Sequence, residues 1–575
     1  MRATLRHNRW WTLAAALLVE AVSGTFYAYS LYSPALRQRF SLSQDQIDLL
    51  GTMLNWGGNI GVHIGFFFNS FGARWTLALA LFTGVPCRLL LWAMLRFFTG
   101  WAVPFWVLAV MMVVQGHSQL INDVTVVSIV AQAFPEHRGR ALGLAKGFIG
   151  LSGSMVACVY MGVYSPDVVA FMLYLPISFG ICVIIAICFL RLPPSDRLLM
   201  SPDAALPRQR LTGASIAVGV LTAVLMGGSL LNLLPDPTQP LDTAATAAAA
   251  AVFLGLLAYL CRPAADDEIQ PSRGLAAVVN PAPPHPAPPH PESRHEALLG
   301  PAGAAGGSSL SRGDVPACGP DEGMSPPASS SSSGGVDEPT LFQAIISVEA
   351  LLMFALMTFA PGAGLMLINN LDSIHTAKGG VGDSSVLVSL VSTSNCAGRL
   401  LAGFISDAAL YKKGWPRPFA LAAANALMAG AMLALLLEGT WPIYAAAFLG
   451  GLSYGAINSL FPACASEIFG LSNLAVVYPA FSMGLALGSW AFATSLYSAV
   501  FDAALARHGV APGGACTWSD CYALSAIVSA ACCVLGAACS VLIALMTRQR
   551  YRTMLAAISK RTQTSTMRAV LLSSD

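Results

Sequence analysis

Apolar stretches long enough to cross a lipid bilayer recur along this 575-residue chain, and they constrain its fold more than any other feature. A helix needs about 20 apolar residues to cross a hydrocarbon core about 30 Å thick. Hydrophobic residues make up 55% of the chain and charged residues only 10%, whereas an ordinary soluble protein has roughly 25% charged residues. A soluble fold could not bury this much apolar surface. The sequence therefore predicts an all-α polytopic membrane protein.

The apolar stretches predict fourteen membrane-spanning helices in groups of six, two and six. Their expected ranges are 10–33, 46–69, 76–96, 105–133, 141–163, 168–190, 211–233, 244–261, 341–368, 384–405, 418–437, 441–466, 474–500 and 522–546. The predicted domains are an N-terminal six-helix bundle (1–191), two extra helices (192–261), a disordered cytoplasmic linker (262–340), a C-terminal six-helix bundle (341–546) and a cytoplasmic tail (547–575). The linker is predicted from its Pro, Ser, Gly and Ala content, because such a segment buries too little apolar surface to offset its ordering entropy.

The distribution of basic residues predicts the orientation in the membrane. If the N-terminus is cytoplasmic, 23 of the 31 Lys and Arg residues lie in cytoplasmic segments, 5 lie on the opposite side and 3 lie within spans. This bias predicts that both termini are cytoplasmic. The apolar run after the basic N-terminus lacks a convincing small-residue cleavage site, which favours an uncleaved first span over a signal peptide. The sequence does not indicate which membrane holds the protein or its oligomeric state.

A short motif occurs at corresponding places in the two six-helix groups. The second span ends in GFFFNSFGAR, which contains Gly65, Asn69, Gly72 and Arg74, and its counterpart in the second group reads GRLLAGFISD, with Gly403 and Asp407. The pattern resembles the loop motif G-x-x-x-D-R-x-G-R-R of the major facilitator superfamily. That resemblance implies two parallel six-helix repeats around a central cavity. Because Asn69 replaces the usual acid, the charge interaction of the motif is expected at Asp407 and not in the first half.

Longer segments resemble a narrower group, the nodulin-like family of the major facilitator superfamily. They include SLYSPALR at 30–37, QAFPEHRGRALGLAKGFIGLSGS at 132–154, NNLDSI at 369–374 and LSYGAINSLFPACASEIFG at 452–470. The two extra helices after the sixth span also fit this family. The resemblance implies a carrier of a small solute, for which organic anions, amino acids and iron are all candidates.

Ionisable residues within spans are costly in a bilayer and are therefore candidates for function. Three acids and three bases are expected to lie in spans, which suggests mutual neutralisation without assigning pairs: Glu20, Asp123, Glu349, Arg88, Lys146 and Arg399. Glu20, Arg88 and Asp123 are expected near the midplane, whereas Lys146 and Arg399 are closer to the cytoplasmic ends of their helices. The Lys146 ammonium could extend to the interface or face a cavity. Its place in the nodulin-like signature favours a cavity or helix-contact role.

Polar residues recur every four positions on two spans, so that each set shares one helix face. Asn55, Asn59 and His63 lie on the second span, and Gln115, Gln119 and Asp123 lie on the fourth. One interpretation is hydrogen bonding between helices. The other is a substrate or proton pathway, in which His63 and His117 could titrate near neutral pH.

Several kinds of chemistry have no support in the sequence. No G-x-x-x-x-G-K-[ST] loop, nucleophile elbow or zinc-site spacing occurs, so we expect neither an enzyme nor a cofactor or metal site, and no nucleic-acid partner. Cys516 and Cys521 lie in CTWSDC on a predicted non-cytoplasmic loop. A disulfide between them and two free thiols are equally compatible with the sequence.

Taken with the resemblance, these features predict a secondary active transporter that moves a small solute by alternating access. The expected solute is an organic anion such as a monocarboxylate, or an amino acid, with H+ as an open coupling partner. The candidate pathway residues are Glu20, His63, Arg88, His117, Asp123, Lys146 and Arg399. The alternatives are an iron or metal-ion carrier, and a non-transporting membrane sensor or scaffold that signals through the linker.

Overall fold

The structure, a computed structural model, describes residues 9–25, 29–42, 44–97, 103–135, 137–191, 205–231, 239–262, 340–380, 385–510 and 516–556. The predicted linker, apart from its two end residues, and the last part of the predicted tail lie outside these residues. The helices of the N-terminal half and the two extra helices are α1 Arg9–Ser23, α2 Tyr29–Phe40, α3 Gln44–Gly57, α4 Val62–Phe97, α5 Phe105–Ala133, α6 Arg138–Val159, α7 Val168–Phe189, α8 Ala205–Leu231 and α9 Gln239–Cys261. Those of the C-terminal half are α10 Leu341–Ile345, α11 Val348–Asn369, α12 Leu371–Ala377, α13 Ser385–Lys413, α14 Pro418–Ala434, α15 Trp441–Ile468, α16 Leu474–Gly488, α17 Tyr497–Arg507 and α18 Ala523–Met546.

The all-α membrane fold is confirmed, and each of the fourteen predicted spans overlaps a helix in the described ranges. In the described part of the chain, nine helical segments are long and apolar enough to cross a bilayer. The helices α1, α5, α14 and α15 fall outside that group. The helix α1 has only 15 residues, and α14 has 17. The helix α5 carries Gln115, Gln119 and Asp123 within its sequence, and such polar side chains lower its mean hydropathy.

The second span is not one continuous helix. The helix α3 ends at Gly57, and α4 begins at Val62. At Gly72 the backbone adopts φ 76° and ψ 175° inside α4, a conformation that suits glycine because it has no Cβ. The helix is kinked there, and α4 contains the end of the second span and the whole third span. We call the side of the membrane domain on which Gly72 lies the motif side.

The two six-helix halves pack against each other through a few helix pairs. The main ones are α4 with α16, α5 with α15 and α16, and α6 with α13 and α15. Gly65 on α4 faces the backbone of Ala475, and Gly139 on α6 faces the backbone of Gly403 on α13. In both places a Cβ on the glycine would overlap a backbone or side-chain atom of the other half. Glycine therefore permits the close approach of the halves on the motif side.

The two extra helices, α8 and α9, pack against each other and differ in what else they touch. The helix α9 packs against α1, α6 and the π-helical segment Tyr160–Tyr164, all in the N-terminal half. The helix α8 packs against α6 and also against α13 of the C-terminal half. There the Thr222 hydroxyl lies 3.6 Å from the Cys396 sulfur, and the Thr393 hydroxyl lies 3.3 Å from the Met226 sulfur. The extra pair is thus attached to the N-terminal half and reaches the boundary with the other half.

Candidate functional site

A polar triad joins the two halves in the interior of the helix bundle. The Lys146 ammonium on α6 donates to the Asp123 carboxylate on α5 and to the Tyr478 hydroxyl on α16, at 2.6 Å. The Tyr478 hydroxyl in turn donates to Asp123 Oδ2 at 2.7 Å. The Lys146 side chain is only 4% exposed. It extends into the protein and not toward the membrane interface, the other conformation that the sequence left open.

Arg399 on α13 lies beside this triad. Its Nη1 donates to the backbone oxygen of Lys146 at 2.9 Å, and its Nε donates to Asn395 Oδ1 at 2.8 Å. Among the described residues no carboxylate lies within ion-pair distance of Arg399. The Arg399 guanidinium is also buried. It is therefore a buried cation without an acidic partner among the described residues.

A cavity of about 80 Å³ lies between the halves at the level of the triad and has room for several water molecules. Its wall includes Asp123, Lys146, Arg399 and Tyr478 together with neutral polar residues from both halves: Ser23, Asn55, Asn59, Gln119, Asn458, Tyr454 and Ser482. Apolar side chains complete the lining. Polar and charged residues make up more than half of the lining residues, and their convergence on one concave space is a feature of small-molecule sites.

Glu20 on α1 lies behind the cavity wall. Its side chain is fully buried, and Asp123, Lys146 and Arg399 are the charged groups that act on it. Neither carboxyl oxygen makes a hydrogen bond of standard geometry within the described residues, although the Asp123 carboxylate is close enough to interact with the Glu20 side chain directly. An ionised carboxylate without partners is very costly to bury, so the neutral acid is the form of Glu20 that suits this environment.

The structure does not bring every candidate to the cavity. His63 and His117 face each other with their Nε2 atoms 2.9 Å apart, and His117 Nδ1 lies 3.4 Å from the Gly57 carbonyl oxygen. This pair links α4 to α5 beside the break in the second span and does not contribute to the cavity wall. Glu349 lies in the first turn of α11 and is also absent from the wall.

Arg88 corrects the expectation that the three acids and three bases neutralise one another. Only Asp123 and Lys146 form an ion pair among the six. The Arg88 guanidinium is buried on α4, lies 4.1 Å from the ring centre of Phe179, and has no carboxylate at ion-pair distance in the described ranges. Opposite charges in these spans are therefore not matched one to one, because helix rotation and tilt decide which side chains meet.

A second charged network closes the motif side, at the position of the repeated loop motif. Asp407 Oδ2 accepts from the backbone N–H of Arg140, at 3.2 Å, and so bridges α13 to α6 of the other half. Asp407 Oδ1 lies 2.7 Å from Arg417 Nη1, and Arg417 Nε donates to Glu467 at 2.7 Å. Burial lowers the pKa of Arg417, but Glu467 and Asp407 outweigh that effect and raise it well above its usual range. A charge interaction at Asp407 is what the motif resemblance implied.

The first copy of the motif is built differently. Gly65 packs against Ala475 of the other half, and Gly72 lies at the kink in α4. Asn69 and Arg74 line an open cavity of about 780 Å³ on the motif side. In the part of the chain that the structure describes, no ion pair corresponds here to the one at Asp407. The substitution of asparagine for the motif acid thus coincides with a missing charge interaction.

On the non-motif side, a disulfide joins Cys516 and Cys521. The nearby Asp520 carboxylate lies 3.2 Å from Arg507 Nη1 and also contacts His508. None of these residues lines the cavity.

Sequence reasoning missed several members of the site. Tyr478 was not a candidate, because a tyrosine in an apolar run usually packs as a core aromatic. Arg417 and Glu467 lie at predicted helix ends, where charged residues are ordinary. The signal that could have identified Tyr478 is the small-residue pattern after it, Ser482, Gly484 and Gly488, which indicates a helix face in close contact with another.

Family comparisons agree with this architecture. Residues 9–261 match the family model described as Nodulin-like, and residues 334–555 match the model described as the NFD4 C-terminal domain. The chain belongs to the nodulin-like family. In this nodulin-like protein the first match covers the N-terminal half with the two extra helices, and the second covers the C-terminal half. The cavity lies where the two matched regions meet.

Individual relatives of this nodulin-like protein are distant. A protein of Yarrowia lipolytica (strain CLIB 122 / E 150) described as "Probable transporter MCH1" is 26% identical over 206 residues, which is 34% of this chain. The match spans 42% of that relative's length. The proton:xylose symporter XylE superposes with a TM-score of 0.48 at 14% identity, over 94% of this chain and 95% of XylE. FucP in an outward conformation gives 0.47 at 13% identity, over 93% and 98% of the two chains.

Proposed function

We propose that this nodulin-like protein is a secondary transporter that carries a small organic anion between the two sides of a membrane. The observation that carries the proposal is the charge on the cavity wall. Lys146 is neutralised by Asp123, and Glu20 is best accommodated as the neutral acid. Arg399 then leaves one positive charge without a direct partner, and a monoanion is the substrate that would neutralise it. A carboxylate suits the planar guanidinium of arginine especially well.

Alternating access is supported by how the halves meet. The triad and the Asp407 network both span the boundary between the halves, at the cavity and on the motif side. Breaking these polar contacts would let the halves separate on the motif side. A substrate can shift such an equilibrium only through a difference in affinity between the two states. An anion that competes for Lys146 and Arg399 supplies that difference, because both residues hold the halves together.

Proton coupling follows from the same competition. An anion that binds Lys146 weakens the ion pair with Asp123, and the Asp123 carboxylate is then left in a buried site without its cation. Such a carboxylate is stabilised by taking up a proton. Anion and proton would therefore bind together, which is the requirement for symport. Asp123 is the proton-accepting group in this scheme, and Glu20 stays neutral throughout.

The test is transport by the purified full-length protein in proteoliposomes. A panel of radiolabelled monocarboxylates and amino acids is offered with and without a pH gradient. We expect a monocarboxylate to accumulate when the outside is acidic, and Lys146→Ala to reduce the initial rate at least tenfold. Asp520→Asn serves as the control, because Asp520 lies in an exposed ion pair outside the cavity. Accumulation of only neutral solutes, or equal rates for wild type and Lys146→Ala, would contradict the proposal.

A further inference from the structure

Arg88 is a buried cation that the proposed transport cycle does not use directly. Its guanidinium is 3% exposed. The Nη1 atom donates to the Gly84 carbonyl at 3.1 Å and to the Ser118 hydroxyl at 3.0 Å. A charged arginine within a membrane domain costs several kcal/mol when it lacks an acidic partner. A neutral side chain of similar shape could fill this space without that cost, so the charge calls for an explanation.

The explanation lies in Gln119, which stands between Arg88 and the cavity. In the amide orientation that satisfies both ends of the side chain, Gln119 Oε1 accepts from Arg88 Nη2 at 3.1 Å and from the Thr25 hydroxyl at 3.0 Å. Its Nε2 donates to the Ser23 backbone oxygen at 2.9 Å. A side-chain carbonyl oxygen accepts two hydrogen bonds, and an amide nitrogen donates two. Both acceptor positions of Gln119 are therefore filled, and one N–H remains.

Gln119 belongs to the cavity wall. Its one unused N–H therefore decides which hydrogen bond it can offer to a bound molecule. With Arg88 in place, Gln119 can only donate. Thr25 does not fix this polarity, because a hydroxyl can donate or accept and would be satisfied by either amide orientation. The Arg88 guanidinium has no acceptor and can face only the oxygen of Gln119. The Ser23 backbone oxygen has no donor and faces only the amide nitrogen, so Arg88 and Ser23 favour the same orientation from the two ends of the amide.

We propose that Arg88 is a positioning residue that determines substrate specificity by holding Gln119 as a hydrogen-bond donor toward the cavity. The inference rests on the proposed transport of an anion and names the groups that select for it. A carboxylate oxygen would receive the Gln119 N–H along with the charges of Lys146 and Arg399. A solute that presents a donor at this position meets no acceptor on Gln119 and is rejected, since its buried polar group would stay unpaired.

The functional experiment uses L-lactate as the probe in proteoliposomes that contain the full-length protein. We expect Arg88→Met to raise KM for lactate at least tenfold, with the maximal rate within threefold of wild type. Gln119→Leu should raise KM by a similar factor. The double variant should be no worse than either single variant, because Arg88 acts through Gln119. Arg88→Lys, which keeps the charge but loses the planar fork of donors, should give an intermediate KM.

Ser118→Ala is the matched control, because it removes a partner of Arg88 without touching Gln119. Its KM for lactate should stay within twofold of wild type. Multiplicative increases in KM for the double variant, or a fall in maximal rate at constant KM, would overturn the inference, since both indicate a role independent of Gln119.

A second measurement separates this inference from the proposed function. If the wild-type protein does not transport lactate, the monocarboxylate proposal fails for this probe. The contact is then tested by thermal unfolding of the same four proteins, wild type, Arg88→Met, Gln119→Leu and the double variant, in detergent. A double variant whose loss in Tm is clearly smaller than the sum of the two single losses supports the Arg88–Gln119 link, because neighbours in one network couple. Additive losses would refute it.

Discussion

The ammonium nitrogen of Lys146 and the phenol oxygen of Tyr478 lie 2.6 Å apart, although the two residues belong to different halves of the molecule. The same phenol donates to Asp123 at 2.7 Å. One hydroxyl group thus connects the ion pair of the N-terminal half to the C-terminal half, at the level of the cavity. In the proposed transport cycle, a substrate that reaches Lys146 changes this connection and so links binding to movement.

Tyr478→Phe is expected to destabilise the arrangement in which the motif side is closed. The change removes the hydroxyl shared by Lys146 and Asp123 but keeps the aromatic ring. A hydrogen bond to a charged group contributes about 1.5–3 kcal/mol, which corresponds to a roughly 10- to 100-fold shift between two states. Distance measurements between spin labels on the motif side check the shift. The control is Tyr444→Phe, where the ring is partly exposed, and an unchanged distance distribution in Tyr478→Phe would refute the prediction.

We expect Asp407→Asn to lower the stability of the folded protein more than the removal of an exposed acid does. Arg417 is completely buried, and the change would remove one of its two carboxylate partners. Breaking a buried pair by removing one partner typically costs about 3–5 kcal/mol. Asp520→Asn, in an exposed ion pair, should cost less than about 1 kcal/mol. Thermal unfolding in detergent compares the two variants, and equal Tm values would count against a structural role for the Asp407 network.

Gly65→Ala tests whether the close approach of the halves needs glycine. A Cβ at Gly65 would overlap the carbonyl of Ala475, whereas nothing lies within 4 Å of a Cβ at Gly430 on α14. We expect Gly65→Ala to lower the free energy of unfolding by about 1–3 kcal/mol through overpacking. Gly430→Ala should leave it unchanged or raise it by up to about 1 kcal/mol, because alanine favours helix. The prediction fails if both variants melt at the wild-type temperature.

The pH dependence of transport should distinguish the two buried carboxyl groups. Asp123→Asn cannot accept a proton, so we expect it to abolish accumulation driven by a pH gradient while exchange of substrate across the membrane continues. Glu20→Gln keeps the size and the neutral form of the side chain, so gradient-driven accumulation should remain within about threefold of wild type. Uptake at matched and unmatched pH measures both. Loss of coupling in Glu20→Gln with its retention in Asp123→Asn would assign the proton to Glu20.

The membrane spans were largely predictable, because hydropathy and helix length report on them directly. The range 105–133 for the fourth span agrees with α5, and 522–546 for the last span differs from α18 by one residue. The break between α3 and α4 was not predicted. Gly57, Gly58 and Gly61 lie at this break, and glycines permit close packing of a continuous helix as well as an interruption. Composition alone does not separate these two uses of glycine.

The candidate site was only partly predictable. Charges in spans pointed to Asp123, Lys146 and Arg399, and the structure places these three residues at one cavity. Their part in transport stays a prediction. The pairing of charges was not accessible, because it depends on how each helix is rotated and tilted against its neighbours. Arg88 and Glu20 illustrate this limit, since they are as deep as Asp123 in the sequence estimate but lie behind the cavity wall. Tyr478 carried no charge and so gave no comparable signal.

The position of α8 has a consequence for any rocking motion. A helix that is fastened to one body and touches another must slide along the second body when the two rotate. The helix α9 ties the pair to the N-terminal half, while α8 meets α13 through short side chains such as Thr222 and Cys396. The two added helices would therefore move with the N-terminal half, and α13 would slide along α8. This contact would restrict the directions in which the C-terminal half can rotate relative to the N-terminal half.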